Sequence, residues 1–318
     1  MSLTARTTGR LTLGLTLAGW TATPLFLVHF AASIDAWTSN GWRYGFAALL
    51  WLPTLVVLRL RGQWPKGLLR AAAVPALFNA AGQMAFAESF YRVDAATAIF
   101  GLRLQLVFVA LGAWLLFRDE REVLRRPRTW LGMALVFAGI AGTVFLAPGA
   151  RPRAELIGVA LAVAAGLLYA GYGLGVRRYM ASYSSVAAFA AISQWTAAMM
   201  VLAMLAFGRD YGAAAWSLSA GQFGLLLVSS VAGIALGHVF YYMAMARLGV
   251  AVTAGVLQLQ PFTVAIGSWW LFGQTMGAAQ VATGVLAVVG AVLLVAQPKG
   301  AAGASQVPER SSTTSPRQ

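Results

Sequence analysis

The stretch that decides the fold is residues 82–117, GQMAFAESFYRVDAATAIFGLRLQLVFVALGAWLLF, because the chain carries a second copy of it. Shifted by 155 positions, the difference between 82 and 237, it lies without a gap on residues 237–272, GHVFYYMAMARLGVAVTAGVLQLQPFTVAIGSWWLF. About one position in three is identical, whereas this composition would give roughly one in ten by chance, so the match indicates an internal repeat. The identical pairs are Gly82/Gly237, Arg92/Arg247, Ala96/Ala251, Leu102/Leu257, Leu104/Leu259, Gln105/Gln260, Val109/Val264, Ala110/Ala265, Gly112/Gly267, Trp114/Trp269, Leu116/Leu271 and Phe117/Phe272.

The composition is that of an integral membrane protein. Hydrophobic residues make up 59% of the chain and charged residues 10%, whereas a soluble domain carries about a quarter charged residues. The net charge of +14 comes from Arg and Lys in short loops between apolar segments, where such charges set membrane orientation, so we do not expect a nucleic-acid partner. The chain contains 0 cysteines, which excludes disulfides and thiolate chemistry.

Ten apolar segments are each long enough, at roughly twenty residues, to cross a hydrocarbon core of about 30 Å. The first is too long for the apolar part of a signal peptide, so we interpret it as a transmembrane helix. Residues 1–10 then form a cytoplasmic N-terminus, and residues 297–318 are expected to form a disordered cytoplasmic tail. The predicted segments are 11–32, 38–58, 68–90, 95–117, 130–147, 156–176, 186–207, 221–246, 250–272 and 277–296.

The positive charges predict the orientation of these segments. With the N-terminus in the cytoplasm, seventeen Arg and Lys residues fall on the inner side and five on the outer side. This asymmetry favours an orientation with both termini inside, as in a bacterial-type plasma membrane. The five outer residues are Arg43, Arg92, Arg151, Arg153 and Arg209.

The position of the repeat predicts an inverted architecture. The third and fourth segments match the eighth and ninth, so the unit comprises five helices, over 11–147 and again over 156–296. A unit with an odd number of helices places its second copy upside down in the membrane. The predicted fold is therefore an all-α integral membrane protein of ten transmembrane helices in two inverted five-helix repeats. Such repeats are typical of secondary transporters, which bind substrate between the halves near the membrane midplane.

Three short motifs stand at the ends of these segments, namely Gln260-Pro261-Phe262-Thr263 leading into Trp270-Leu271-Phe272-Gly273, the Gly-rich helix with Gly284 and Gly290, and Trp42-Arg43-Tyr44. Together with the ten-segment layout they resemble the EamA type of the drug/metabolite transporter superfamily, over about residues 11–296. The resemblance implies export or exchange of amino acids, related metabolites or drugs. The chain departs from that family's usual pattern at Leu106, where proline is common, and at Asp119 and Gln274, where glutamate is common.

Arg103 is the sharpest candidate for substrate binding. It lies about 12 Å from the start of its helix, close to mid-membrane, and its repeat partner Gln258 is also polar. A guanidinium at this depth could bind a substrate carboxylate through two hydrogen bonds. Alternatively, Arg103 bridges to backbone carbonyls or to an acid on a neighbouring helix.

A second pair of matched polar residues is Gln83 and His238. Asn79, Gln83 and Phe86 share one face of the third segment by helical spacing. They are candidate substrate contacts, or else hydrogen-bond partners between helices. His238 and Tyr242 form a similar face on the eighth segment, where His238 is a candidate proton acceptor or substrate contact, or a packing residue.

Three further residues fall near mid-depth and are candidates to line the same cavity: Trp20, Tyr169 and Gln194. The two aromatic residues could equally fill the bundle. Glu88 stands four residues before Arg92, the favoured spacing for a local ion pair at a helix end. We therefore prefer that pairing to a role for Glu88 as an ion partner of Arg103.

The sequence thus predicts a secondary transporter that moves a small metabolite, an amino acid or related carboxylate, by alternating access and in the export direction. Its partners would be the substrate, the lipid bilayer and a proton or counter-substrate, and the assembly a monomer or homodimer. No cofactor, metal site or catalytic residue is expected, because the chain shows no ligand cluster or nucleophile motif. The alternatives are a broad-specificity drug exporter, a membrane-embedded enzyme and a scaffold that does not transport.

Overall fold

The structure is a computed structural model that describes residues 3–118, 121–122, 125–146 and 153–295. These residues form α-helices together with a 3₁₀ segment, Arg209–Ser217, and a π-helical segment, Val231–Leu236, and no strand occurs among them. In chain order the α-helices are α1 (Leu3–Ala31), α2 (Ala36–Leu60), α3 (Leu68–Phe90), α4 (Ala95–Leu102), α5 (Gln105–Leu116), α6 (Pro127–Phe145), α7 (Arg153–Tyr179), α8 (Ser185–Phe207), α9 (Ala220–Ser230), α10 (Gly237–Leu248), α11 (Val250–Leu257), α12 (Gln260–Phe272) and α13 (Ala278–Val295).

Eight helical spans in the described part of the chain are long and apolar enough to cross a membrane. The two predicted segments outside this set are α3 and 250–272, which hold the polar residues Asn79, Gln83, Gln258 and Gln260. Leu60, Phe137 and Ile266 are among many aliphatic and aromatic side chains left exposed, as suits contact with lipid. The eight spans are Arg6–Ala31, Ala36–Leu60, Ala95–Leu116, Pro127–Phe145, Glu155–Tyr179, Ser185–Phe207, Ala220–Leu248 and Ala278–Val295.

Several helices differ from their predicted bounds. α1 begins at Leu3 rather than residue 11, and the segment predicted over 221–246 is α9, the π-helical segment and α10 in succession. The segments predicted as continuous over 95–117 and 250–272 are each interrupted. The predicted tail, 297–318, lies outside the described residues.

The two interruptions occur at matched positions of the repeat. α4 ends at Leu102 and α5 begins at Gln105, while α11 ends at Leu257 and α12 begins at Gln260. At both breaks the backbone tightens into hydrogen bonds three residues apart. The amide of Arg103 donates to the carbonyl of Phe100 at 2.9 Å, and that of Gln258 donates to the carbonyl of Gly255 at 3.1 Å. The duplication has therefore preserved a helix break as well as a sequence.

Contacts between the halves follow a symmetric scheme. α3, in the first half, packs against α7, the first helix of the second half, and α10 packs in the same way against α1. α2 pairs with α8, its counterpart, and α6 pairs with α13. Exchanging the two halves turns the α3–α7 contact into the α10–α1 contact and leaves the α2–α8 and α6–α13 pairs unchanged, so the scheme of contacts is symmetric.

The pairing of α6 with α13 depends on close backbone approach at glycine. A Cβ atom on Gly139 would lie 2.4 Å from the amide nitrogen of Ala287 and 2.6 Å from the carbonyl oxygen of Thr283. A Cβ atom on Gly290 would lie 2.6 Å from the amide nitrogen of Val136. Small residues permit this approach, which supplies van der Waals contact where lipid removes the hydrophobic driving force.

Asp35 links the start of α2 to the 3₁₀ segment through hydrogen bonds. Its carboxylate accepts hydrogen bonds from the amide and hydroxyl of Thr38, at 2.9 and 2.6 Å, and from the amide of Arg209 at 3.0 Å. Burial alone raises the pKa of this carboxyl, but the hydrogen bonds outweigh burial and hold the pKa below its ordinary value. The ionised form therefore stabilises the folded chain.

Asp35→Ala is expected to lower the free energy of unfolding by about 1 kcal/mol, because α2 loses its N-cap. A group with a lowered pKa stabilises the fold above its unfolded value of about 3.9, and the stability is lost as pH falls through the folded pKa. The difference from wild type should therefore be full near neutral pH and shrink below about pH 4. Thermal unfolding of both proteins across pH measures this. Asp210→Asn, which alters an exposed carboxylate, is the control.

Candidate functional site

A small cavity lies where the two halves meet. Its volume of about 20 Å³ is room for about one water molecule. Amide, hydroxyl and imidazole groups provide its polar lining and aliphatic and aromatic side chains provide the rest. The lining residues are Tyr44, Ala47, Ala48, Asn79, Gln83, Tyr172, Phe189, Ile192, Ser193, Thr196, Ile234 and His238.

The duplicated positions meet in this cavity. Gln83 and His238, which correspond in the repeat, both line it. So do Asn79 and Ile234, which are separated by the same 155 residues (234 minus 79). Three of the residues predicted from the sequence, Asn79, Gln83 and His238, are thus brought together. Both halves therefore contribute matched positions to the cavity.

The polar side chains of the cavity are held by specific partners. The side-chain amide of Asn79 donates to the hydroxyl of Thr196 at 3.1 Å. Nδ1 of His238 lies 3.2 Å from the carbonyl oxygen of Ile234, one turn earlier. Since a carbonyl can only accept, this contact places the proton on Nδ1 and leaves Nε2 of the neutral ring as an acceptor. The His238 ring also packs on Phe189, with centroids 5.0 Å apart.

Three other predicted residues lie beside the cavity without lining it. The side-chain amide of Gln194 turns to the carbonyl of Ala48 at 2.9 Å. Phe86 and Tyr169 pack together with ring centroids 6.0 Å apart, in the hydrophobic core around α3 and α7. Tyr172, one turn further along α7, reaches the cavity in place of Tyr169.

A second group of residues, which includes the predicted Arg103 and Trp20, joins the two helix breaks. Nη2 of Arg103 donates to the carbonyl of Leu257 at 3.2 Å and to Oε1 of Gln260 at 2.5 Å. Nε2 of Gln260 in turn donates to the carbonyl of Trp20 at 2.6 Å. We call these four residues, Arg103, Leu257, Gln260 and Trp20, the inter-repeat clasp. It connects α4 of the first half with α11 and α12 of the second, and both with α1.

Proline explains why a carbonyl is free at this point. In a continuous helix the amide of residue 261 would donate to the carbonyl of Leu257, but Pro261 has no amide hydrogen. The Arg103 guanidinium takes the place of that missing donor. Of the alternatives for Arg103, the bridge to a backbone carbonyl is the one present in this conformation.

Trp20 belongs to both groups of residues. Its carbonyl is part of the inter-repeat clasp, and its ring lies edge-on to His238 with centroids 5.7 Å apart. It also packs on Tyr241 at 5.1 Å. Trp20 therefore connects the helix breaks physically with the cavity.

Gln258 does not mirror its repeat partner. Its side-chain amide donates to the carbonyl of Ala254 within its own helix at 3.0 Å. Its Oε1 is buried and has no hydrogen-bond partner among the described residues. The backbone of Tyr242 belongs to α10, but its side chain lies outside the described part of the structure.

Two charged residues lie on the helices that line the cavity, Arg43 on α2 and Glu88 on α3. Arg43, which was counted among the outer charges, does not lie in a loop: α2 begins at Ala36, so Arg43 lies two turns inside that helix and is 2% exposed. Glu88 forms an ion pair with Arg92, which confirms the local pairing that the spacing predicted. Within the described ranges, no three His, Asp or Glu side chains are grouped closely enough to hold a metal ion.

These features define a class of protein: a multi-pass membrane protein of duplicated halves with a polar cavity between them, as in membrane transporters of small molecules. The chain belongs to the EamA-like transporter family, whose model matches residues 7–145 and again residues 156–296. It is a transmembrane transporter of that family.

Two further similarities are more limited. The "Uncharacterized transporter sll1319" of Synechocystis sp. (strain ATCC 27184 / PCC 6803 / Kazusa) is 36% identical over 72 residues. That match covers 23% of this chain and 21% of the relative, so the chain spans about a fifth of the relative's length. One crystal structure superimposes with a TM-score of 0.57 at 16% identity, covering 90% of this chain and 96% of its own. At that identity the likeness shows the fold alone.

Proposed function

We propose that the protein exports a small organic molecule bearing a carboxylate, of the amino acid class or a related one, through the central cavity by alternating access. The two halves act as inverted five-helix repeats that form ten transmembrane helices. The single observation that carries the proposal is the cavity itself, because matched positions of both repeats line it. A site on the axis between two inverted repeats is the place where rocking of the halves exposes a ligand to each side in turn.

The lining supports a small polar substrate. Asn79, Gln83 and Thr196 offer uncharged donors and acceptors, and Tyr172 and Phe189 offer apolar surface. Such a mixture suits a molecule with a polar head and an apolar or aromatic body. Trp20, Phe86, Tyr169, Gln194 and Tyr242 remain proposed contacts of the opened cavity.

A negative charge on the substrate is favoured by the buried charges of the protein. Arg43 and Arg103 both lie inside the bundle. No carboxylate forms an ion pair with either among the described residues. A broad exporter of cationic drugs would need the opposite arrangement, and Glu88, its best candidate acid, is engaged with Arg92. The metabolite carrier is therefore the better supported of the two.

The remaining parts of the proposal follow from the charge distribution and the repeat. We place the protein in a bacterial-type plasma membrane with both termini in the cytoplasm, as the loop charges favour. It works as a monomer or homodimer, and a proton or counter-substrate drives export. His238 is the candidate proton acceptor.

Ser193→Trp is expected to reduce transport at least about tenfold, because the indole fills a cavity with room for about one water. Uptake of radiolabelled amino acids and small carboxylates into proteoliposomes preloaded with unlabelled compound measures this. Ser182→Trp, on an exposed turn, is the matched control and should transport as wild type does. Transport by Ser193→Trp at the wild-type rate, with the fold checked by size exclusion, would remove the cavity from the route.

A further inference from the structure

Arg43 is the largest fully buried side chain of the described residues. Its Nε donates to the hydroxyl of Ser229 at 2.9 Å, and its Nη1 lies 3.5 Å from the side-chain oxygen of Asn40. Its Nη2 is buried and has no hydrogen-bond partner within the described part of the chain. A guanidinium normally satisfies its donors when it is buried, so this arrangement leaves one strong donor unused.

No described carboxylate forms an ion pair with Arg43. The phenols of Tyr44, Tyr91 and Tyr169 lie around it. The carboxylates that act on Tyr91 are Asp35 and Glu88; Asp35 is bonded to Thr38 and Arg209, and Glu88 is paired with Arg92. An unpaired buried charge is costly, and in a membrane protein it marks a functional site by default.

Two more buried hydroxyl groups stand nearby. Ser39 precedes Arg43 by one helical turn on α2 and is fully buried, so the two share a face. Tyr91 follows the end of α3, and its hydroxyl interacts with that of Ser39. Neither hydroxyl has any other hydrogen-bond partner among the described residues. When two hydroxyls pair, one donates to the other and the second keeps its own proton, so the pair retains one donor beside the buried cation.

This region adjoins the central cavity. Tyr44, the residue after Arg43, lines the cavity. Asn40, which contacts Arg43, donates from its side-chain amide to the backbone carbonyl of Gln83, a second lining residue, at 3.0 Å. Asn40 thus connects Arg43 with the wall of the cavity.

We propose that Arg43, assisted by Ser39 and Tyr91, binds the carboxylate of a small organic anion at the edge of the central cavity. The guanidinium supplies a charge-assisted hydrogen bond and the hydroxyl pair a second donor, which matches an acceptor with two oxygens. The assignment rests on the proposed function and names the residues that bind the charged group of the substrate. The Nε of Arg103 is also buried without a partner among the described residues, but its Nη2 is bonded to Leu257 and Gln260, so we assign Arg103 to holding the two halves together.

Binding of sodium benzoate to the purified full-length protein in detergent tests this without a transport assay. Benzamide, a neutral molecule of the same shape, and chloride at equal concentration are the reference ligands. Benzoate is expected to raise the thermal unfolding temperature of the wild type more than either reference. Arg43→Gln should weaken benzoate binding by about tenfold or more, as the loss of a hydrogen bond to a charged group does. Arg92→Gln, which removes an exposed arginine, should bind as wild type does.

Ser39→Ala and Tyr91→Phe keep the test decisive if Arg43→Gln does not fold. Each removes one hydroxyl from the site and should weaken benzoate binding by about threefold to tenfold. Equal stabilisation by benzoate, benzamide and chloride would overturn the assignment. So would loss of benzoate binding in Arg103→Gln with full binding in Arg43→Gln.

The two proposals fail separately. Benzoate binding that depends on Arg43, with no compound carried in proteoliposomes, would contradict the proposed transport and leave the anion site standing. Transport that depends on the cavity, with benzoate binding unchanged in Arg43→Gln, would contradict the anion site alone.

Discussion

Arg103→Gln is expected to shift the equilibrium between the two access states of the proposed transport cycle by about tenfold to a hundredfold and to slow transport accordingly. The guanidinium closes the inter-repeat clasp by donating to the carbonyl of Leu257 and to Gln260. Hydrogen bonds from a charged group contribute about 1.5–3 kcal/mol, and a difference of that size between two conformations changes their ratio by the stated factor. Glutamine is too short to span both halves, and Arg103→Lys, which lacks the planar fork, should give an intermediate effect.

The absence of cysteine in the natural chain makes this shift measurable. A single cysteine at Ser193, in the wall of the cavity, can be labelled with a membrane-impermeant maleimide from each side of the membrane. In the Arg103→Gln background the labelling rate should rise about tenfold on the side that opens when the clasp is released. The same cysteine with Arg92→Gln is the control, since that arginine pairs with Glu88 at a helix end. Identical labelling in both backgrounds would show that the clasp does not distinguish the two states.

Gly139→Ala is expected to lower the free energy of unfolding by about 3 kcal/mol and the unfolding temperature by roughly 5–10 °C. The added Cβ atom would stand 2.4 Å from the amide nitrogen of Ala287 and 2.6 Å from the carbonyl of Thr283. Both are backbone atoms, so no side chain can rotate to relieve the contact. α6 and α13 must move apart, and the van der Waals contact between them is lost along their length.

Gly173→Ala is the control for this substitution. Gly173 also lies within a helix, but a Cβ atom there would meet nothing within 4 Å. Alanine favours the helix by about 1 kcal/mol over glycine, so this variant should unfold at the wild-type temperature or above it. Thermal unfolding of both variants in the same detergent makes the comparison. An equal response would mean that the close approach at Gly139 does not stabilise the pair of helices.

The family, the all-helical fold and part of the cavity could be predicted from the sequence, because each depends on a pattern within a short stretch of residues. Long apolar runs have few interpretations in a chain with so few charges. Asn79, Gln83 and His238 were found because a polar side chain is conspicuous on an apolar helix. Their grouping followed from the repeat alone, since matched positions of two related halves meet at the centre.

What the sequence could not predict depended on contacts between distant residues. Arg43 was counted as an outer charge because it lies near the start of an apolar segment, and only packing against Ser229 shows it buried. No helix-breaking residue in the sequence indicates the break at Arg103, because the first copy has Leu106 where the second copy has Pro261. Gln194 was expected in the cavity because the sequence gives the depth of a residue along its helix but not the direction in which its side chain points. The side-chain amide of Gln194 is instead bonded to the carbonyl of Ala48.

The helix break with proline in one copy and leucine in the other has an energetic consequence. Two identical inverted halves would make the inward-facing and outward-facing carriers degenerate, since each would be the other turned over. In the repeat, Arg103 corresponds to Gln258 and Pro261 corresponds to Leu106. A second clasp at the matched positions would need arginine and proline there, and the chain has neither. In the proposed alternating-access cycle, one facing state would therefore have a bridge that the other lacks. We expect the unloaded carrier to favour that state, and a ligand to shift it only by binding the other state more tightly.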